Sequence, residues 1–456
     1  MKNQNLYKKV LVIAIPMMIQ NGITNMVNLV DNLMVGSLGT ENMTGVSIVG
    51  QLLFVYFLAI FGGLSGPGIY GAQYYGQGNR DGFQNIFRLK IWIATILTMI
   101  GIMAFIVGGQ AMMGLYMHGT QDGIDPVQTV HAGISYLNIM LIGLVPMALT
   151  QVYAGSLREM GQSVKPMVAG IVSVVVDIIC NYMLIFGKLG CPKLGVKGAA
   201  IATVIARFAE LLVILVWTHS TLPEDSFLKH VYRTLRFPLG DMRIVIRKGM
   251  PILCNEFMWA GGIAALTQCY SIRGLQVVAA LNISNILCNL INVVFVALGN
   301  AVGIIMGQYL GASRFQEAKE GSDHLMWFTA AVCVVLTVIL IALSGIFPQA
   351  YQTTDEVRSM AGQLIIITAV FFPLQGALNV LYFTLRSGGK TLITFLFDSV
   401  YSWLVSVTVA FVLSRYTPLP ILAVYAVVQS ADVIKVTIGY ILVKKGVWLT
   451  NLVETV

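Results

Sequence analysis

The run VLVIAIPMMIQNGITNMVNLVDNLMV, Val10 to Val35, decides how the chain is read. It exceeds the roughly 20 apolar residues a helix needs to cross a hydrocarbon core of about 30 Å. Yet Asn21, Asn25, Asn28, Asp31 and Asn32 recur along it every three or four positions. That period lines one face of a single helix with amides and a carboxylate. A face of that kind cannot look at lipid, because an ionised carboxylate alone in hydrocarbon costs several kcal/mol. The run therefore reads as a membrane helix whose polar face meets other polar groups or trapped water, where an acid can take up and release a small ion.

The rest of the chain agrees. It is 57% hydrophobic and 11% charged, with a mean hydropathy of +0.80, and a soluble domain of this length could not hide that much apolar surface. Twelve apolar runs are expected to span the membrane: 10–35, 46–70, 91–113, 134–154, 167–186, 199–217, 251–272, 277–307, 325–347, 361–383, 392–413 and 419–443. They are continuously apolar, whereas barrel strands alternate over about ten residues, so helices are expected. The opening MKNQNLYKK precedes a run without a small-residue cleavage site and reads as the start of a retained span.

Lys and Arg gather in alternate loops. One set holds Lys8 and Lys9, then Arg80, Arg88 and Lys90, Arg158 and Lys165, six bases between Lys229 and Lys248, Arg314 and Lys319, Arg386 and Lys390, and Lys444 and Lys445. Basic loops stay cytoplasmic, so both termini are expected inside, in the cell's inner (plasma) membrane. The net charge of +8 follows from this topology and gives no reason to expect nucleic acid as a partner. The six cysteines show no metal-ligand spacing and read as membrane-buried thiols. No metal or cofactor is expected.

The connection THSTLPEDSFLKHVYRTLRFPLGDMRIVIRKG divides the helices six and six: a bundle over 1–220, a cytoplasmic connection over 221–248 and a bundle over 249–456. The halves repeat. An offset of 235 places Pro16 on Pro251, Gly39 on Gly274, Gly68 on Gly303, Gln73 on Gln308 and Gly76 on Gly311. Further on, an offset of 228 places Arg158 on Arg386 and Gly161 on Gly389, which implies a seven-residue deletion between the two blocks. Six spans per half give both halves one orientation. The expected architecture is an all-α polytopic membrane protein, twelve transmembrane helices in two pseudo-twofold-related six-helix bundles around a central cleft within one chain, and a monomer is expected. Chance matching of Gly and Pro is the plainer alternative, weakened because several matches share one offset.

Other spans carry polar stripes too. The fifth has Ser173, Asp177 and Asn181; the sixth Thr203, Arg207 and Glu210; the eighth Asn282, Asn285, Asn289 and Asn292. Glu256, Asp398 and Asp432 lie in the seventh, eleventh and twelfth. Each also has a structural reading: Asp31 at the outer interface, Asp177 as a hydrogen-bonding group, the asparagine stripe as interhelical contacts worth about 1 kcal/mol each. Asp432 with Lys435, and Arg207 with Glu210, read most simply as local ion pairs. The first bundle is expected to hold the ion chemistry, with Glu256, Asn282, Asn285, Asn289 and Asp398 as a candidate polar site in the second. Pro16, Pro146, Pro251 and Pro373 fall inside spans, where they free a carbonyl and permit bending.

Read together, NLVDNLMVGSLG, GAQYYGQGNRD, LREMGQSVKPM, NYMLIFG, GVKGAAIAT and GQYLGASR resemble the multidrug and toxic compound extrusion (MATE) family, in order over nearly the whole chain. The resemblance implies an antiporter that alternates between membrane faces and exports cationic amphipathic compounds against protons or sodium ions. It assigns cation coupling to Asp31 and, in the DinF-type branch that looks most similar, to a cluster completed by Asp177, Asn181, Asn28, Thr203 and Tyr136. That branch has Asn before Asp on the fifth helix; here Asp177 precedes Asn181. The NorM-type site, with acids in the seventh and tenth helices, looks incomplete, since the tenth span has none. An enzyme is not expected: there is no phosphate-cradling glycine loop and no nucleophile motif. A flippase for lipid-linked glycan precursors, of the same wider superfamily, is the alternative function; intramembrane bases for a pyrophosphate are few, chiefly Arg207 and Lys435.

Overall fold

The computed structural model describes residues 2–116, 125–221, 226–234 and 239–454. Twelve long helices account for most of them: α1 (Lys2–Gly36), α2 (Thr40–Gln77), α3 (Arg80–Tyr116), α4 (Pro126–Glu159), α5 (Val164–Phe186), α6 (Val196–Thr221), α7 (Leu239–Ser271), α8 (Leu275–Gly311), α9 (Phe315–Ser344), α10 (Asp355–Ser387), α11 (Thr391–Tyr416) and α12 (Ile421–Lys444). No strand occurs among the described residues. Eleven of these helices are long and apolar enough to cross a membrane. The exception, α7, is as long as its neighbours, but Asn255 and Glu256 dilute its apolar run. Exposure marks the lipid-facing sides: on α3, Met103 is 64% and Val107 79% exposed, a stripe that only an apolar surrounding accommodates.

The helices run past the apolar segments expected from the sequence, because their ends are capped by polar residues beyond the hydrocarbon. Asp125 accepts from the Val127 and Gln128 amides at the head of α4, with Pro126 at the first helical position. Thr354 caps α10 by accepting from the Val357 amide.

The internal repeat is carried into the backbone. Gly39 and Gly274 both take positive φ, +110° and +120°, in the turns that end α1 and α7. Gly78 (+78°) answers Ser313 (+55°) at the same offset of 235, and Gly161 (+76°) answers Gly389 (+70°) at 228. The left-handed region is strained for residues with a Cβ, so three turns at repeat-related positions are not coincidence. The deletion is located as well: α3 has 37 residues and α9 has 30.

Two compact units form; they divide between Met242 and Arg243, inside the expected connection 221–248, but parts of α1 and α2 go with the C-terminal half. One unit comprises Ile19–Gly71 and Arg80–Met242; the other comprises Met1–Met18, Ala72–Asn79 and Arg243–Val456. The ends of α1 and α2 thus belong with the C-terminal half. The reason is apolar packing: Leu6, Val10, Ile13, Ala14 and Met17 of α1 are buried in one cluster with Ala301, Val302, Ile305 and Leu310 of α8 and Leu325 of α9. Pro16 lies two residues before the last residue ahead of the change of unit in α1, and Pro67 four residues before that residue in α2.

Within that second unit the end of α2 crosses α8 at repeat-related residues. A Cβ on Gly76 would fall 2.0 Å from the Gln308 carbonyl oxygen, and one on Gly311 1.9 Å from that of Gln73. The contact is reciprocal, as a local twofold requires, and glycine is needed on both sides. The chain end covers it: buried Gln73 donates from Nε2 to the Ser387 carbonyl (2.9 Å), and its Oε1 accepts from the Leu452 amide (2.7 Å).

In the first unit, the connection between the repeats is docked rather than free. Leu228 and Val231 are fully buried, the Lys229 carbonyl accepts from Arg80 and Gln84, and the Val231 carbonyl accepts from Arg88. Two of the bases that set the expected orientation therefore also hold this loop.

Candidate functional site

In the first unit, α1 and α5 meet at three of the expected residues. Asn181 donates from Nδ2 to Asp31 Oδ1 at 2.9 Å and to Asp177 Oδ2 at 3.2 Å. Asp177 and Asn181 stand one turn apart on α5, so their side chains share a face. They are 5% and 2% exposed, and Asp31 is half-buried. One amide thus bridges two carboxylates. Among the described residues, Asp177 Oδ1 and Asn181 Oδ1 are buried without a hydrogen-bond partner, so two acceptor oxygens are left where a small cation or a proton would satisfy them.

The fourth and sixth helices complete the setting. Thr203 Oγ1 donates to the Ala199 carbonyl at 3.2 Å, and Tyr136 lies within charge range of Asp31 and Asp177. Ser173 donates to the Ala206 carbonyl at 2.9 Å, which fixes α5 against α6. The side chain of Asn28 lies outside the described residues. The reversed order of acid and amide on α5 does not change the grouping, since positions one turn apart exchange roles without leaving the face.

The ion pair of Arg207 with Glu210 expected from the sequence is present at 3.6 Å, but the Arg207 charge also lies within range of Asp31 and Asp177. Its place four positions beyond Thr203 on α6 was the signal that it shares a face with the cluster.

The second-unit residues do not form one site. Asn282, Asn285 and Asn289 are exposed along α8, and Asn289 accepts from Asn292 of the same helix at 3.3 Å. Glu256 is half-buried and in the charge range of Arg386 and Asp398. Asp398 belongs to a different group. Lys435 Nζ lies 3.1 Å from Asp398 Oδ1 and 3.8 Å from Asp432 Oδ1, so the local Asp432–Lys435 pair expected from the sequence is one edge of a three-residue network. The shorter edge joins α11 to α12, which spacing along one helix cannot reveal.

Comparison with known proteins supplies the context. The MatE family model matches residues 16–183 and 251–412, once in each repeat. The chain is 28% identical over 441 residues to a probable multidrug resistance protein, YoeA, of Bacillus subtilis, covering 96% of this chain and 93% of that one. It is 21% identical over 453 residues to a probable multidrug resistance protein, NorM, of Thermotoga maritima, covering 98% and 94%. Among solved structures, a MOP superfamily transporter from Pyrococcus furiosus superposes with a TM-score of 0.85 at 17% identity, covering 96% of this chain and 95% of that one. A multidrug resistance MATE family transporter in an outward-facing conformation gives 0.83 at 18%, with the same coverage. The likeness in structure carries the fold, and the family match over both repeats carries membership: this chain belongs to the MatE family, whose members are polytopic membrane transporters rather than enzymes.

Proposed function

We propose that the protein is a secondary antiporter that exports small cationic amphipathic compounds, multidrug substrates among them, in exchange for protons or sodium ions by alternating access. The observation that carries this reading is the pair of acids, Asp31 and Asp177, joined by the single amide of Asn181 with two buried acceptor oxygens unpaired. Two ionised carboxylates so close repel each other unless a proton or small cation lies between them. A positively charged passenger and a coupling ion then favour different charge states of the same cluster, which is the differential affinity that coupling needs.

The names of the relatives support efflux of drugs. The loop charges support an inner-membrane location with both termini cytoplasmic, with the bilayer as the surrounding partner; both repeats lie in one chain, so a monomer is the proposed working unit. No cofactor is needed, because the energy comes from an ion gradient.

Ethidium exchange in proteoliposomes, driven separately by imposed proton and sodium gradients, tests the reading. Wild-type protein should exchange under one of them, and Asp31→Asn should slow that exchange by about tenfold or more. Normal exchange by the Asp31→Asn protein would remove Asp31 from the coupling role.

A further inference from the structure

The second unit contains an ion cluster where α11 leaves regular α-helical geometry and meets α12. Helix α11 changes to π-helix over Leu396–Val400 and again over Ser402–Val407, while α12 continues through Ala431, whose amide still donates to the Val427 carbonyl. π turns in a helix recur at functional sites. Asp398 and Ser402 come one from each π segment, and Asp432 stands one turn before Lys435 on α12.

At their centre is an ammonium. Lys435 Nζ donates to Ser402 Oγ at 2.8 Å and to Asp398 Oδ1 at 3.1 Å, with Asp432 Oδ1 at 3.8 Å. The outer oxygens are held in turn. Asn255 donates to Asp398 Oδ2 and to the Tyr382 hydroxyl, each at 3.2 Å, and Gln375 donates to Asp432 Oδ2 at 2.6 Å. Ser399 donates to Asn255 Oδ1 at 2.7 Å. Lys435 is 5% exposed. Two carboxylates and a hydroxyl around one compact charge are the hard oxygen set that small cations select.

We propose that the second unit holds a cation site filled by the chain's own Lys435, so that removing the lysine charge opens a site for sodium formed by Asp398, Asp432 and Ser402. The tethered ammonium stands where an exchangeable ion would otherwise bind, which leaves ion exchange to the first unit. This last consequence rests on the proposed antiport; the cation site does not.

The test is therefore binding, read in an Asp31→Asn background that silences the first cluster. Purified Asp31→Asn protein should show no sodium-dependent thermal stabilisation against choline. Asp31→Asn/Lys435→Met should gain it, with radiolabelled sodium bound at least about tenfold more tightly than by the parent, and adding Asp398→Asn should remove the gain. Lys435→Arg should stay insensitive.

If Lys435→Met folds only in sodium and not in choline, the site is equally established. The proposal is overturned if Lys435→Met folds and binds no more sodium than the parent, or if its bare carboxylates take up only protons. Failure to fold in either salt, while Asp398→Asn/Lys435→Met folds, overturns it too. None of these outcomes depends on whether Asp31→Asn still transports.

Discussion

The amide of Leu452 donates to Gln73 Oε1 at 2.7 Å, so the end of the chain is tied to the end of α2. Gln73 is fully buried, and its Nε2 serves the Ser387 carbonyl. Gln73→Ala strands both main-chain groups at about 1–3 kcal/mol apiece. The thermal midpoint in detergent should fall clearly, and removing residues 446–456 should lower it further by taking away the buried Trp448 and uncovering the apolar cluster it packs against. An unchanged midpoint for Gln73→Ala would show that the tail contributes nothing there.

Asn181 donates to both Asp31 and Asp177 and so joins them. Asn181→Ala should slow substrate exchange by about 10–100-fold, the usual effect of losing a group that orients ion ligands, while leaving the protein folded. Asn181→Ser, which keeps a donor, should be intermediate. Full activity of the alanine variant in proteoliposomes would make the bridge incidental.

Lys90 and Glu159 form a buried pair at 2.5 Å, with Ser156 as a further acceptor for the ammonium. Lys90→Met leaves the buried Glu159 carboxylate without its ammonium and should cost about 3–5 kcal/mol. Lys90→Met with Glu159→Leu should recover most of that loss. Equal loss in the single and double variants, measured by thermal unfolding, would contradict the charge-burial explanation.

The glycine crossing makes a contrast. Gly76→Ala and Gly311→Ala each drive a methyl group into a carbonyl about 2 Å away and should destabilise by about 1–3 kcal/mol or more. Gly22→Ala and Gly50→Ala meet nothing within 4 Å, and both lie inside helices. These two should be neutral or stabilising by up to about 1 kcal/mol. Thermal midpoints of the four variants side by side decide it.

Much of the architecture is legible along the chain because a bilayer leaves few choices: a backbone in hydrocarbon must satisfy its own hydrogen bonds, so each apolar run of sufficient length is a helix. The repeat was legible for a related reason. Gly39 and Gly274, or Gly161 and Gly389, stand at turns whose left-handed backbone tolerates little else. The one-turn spacing of Asp177 and Asn181 was likewise open to inspection, since a helix fixes which residues share a face.

What spacing could not supply is the partner on another helix. Nothing near Lys435 in the chain distinguishes Asp432, three residues away, from Asp398 on α11, yet the ammonium lies nearer Asp398. Nor does any local signal assign the ends of α1 and α2 to the C-terminal half: Val10 and Ile13 are as apolar as residues that face lipid, and their burial against Ala301 and Ile305 depends on packing alone. Apolar patterning states that a side chain avoids water; which surface covers it is set by the shapes that meet in three dimensions.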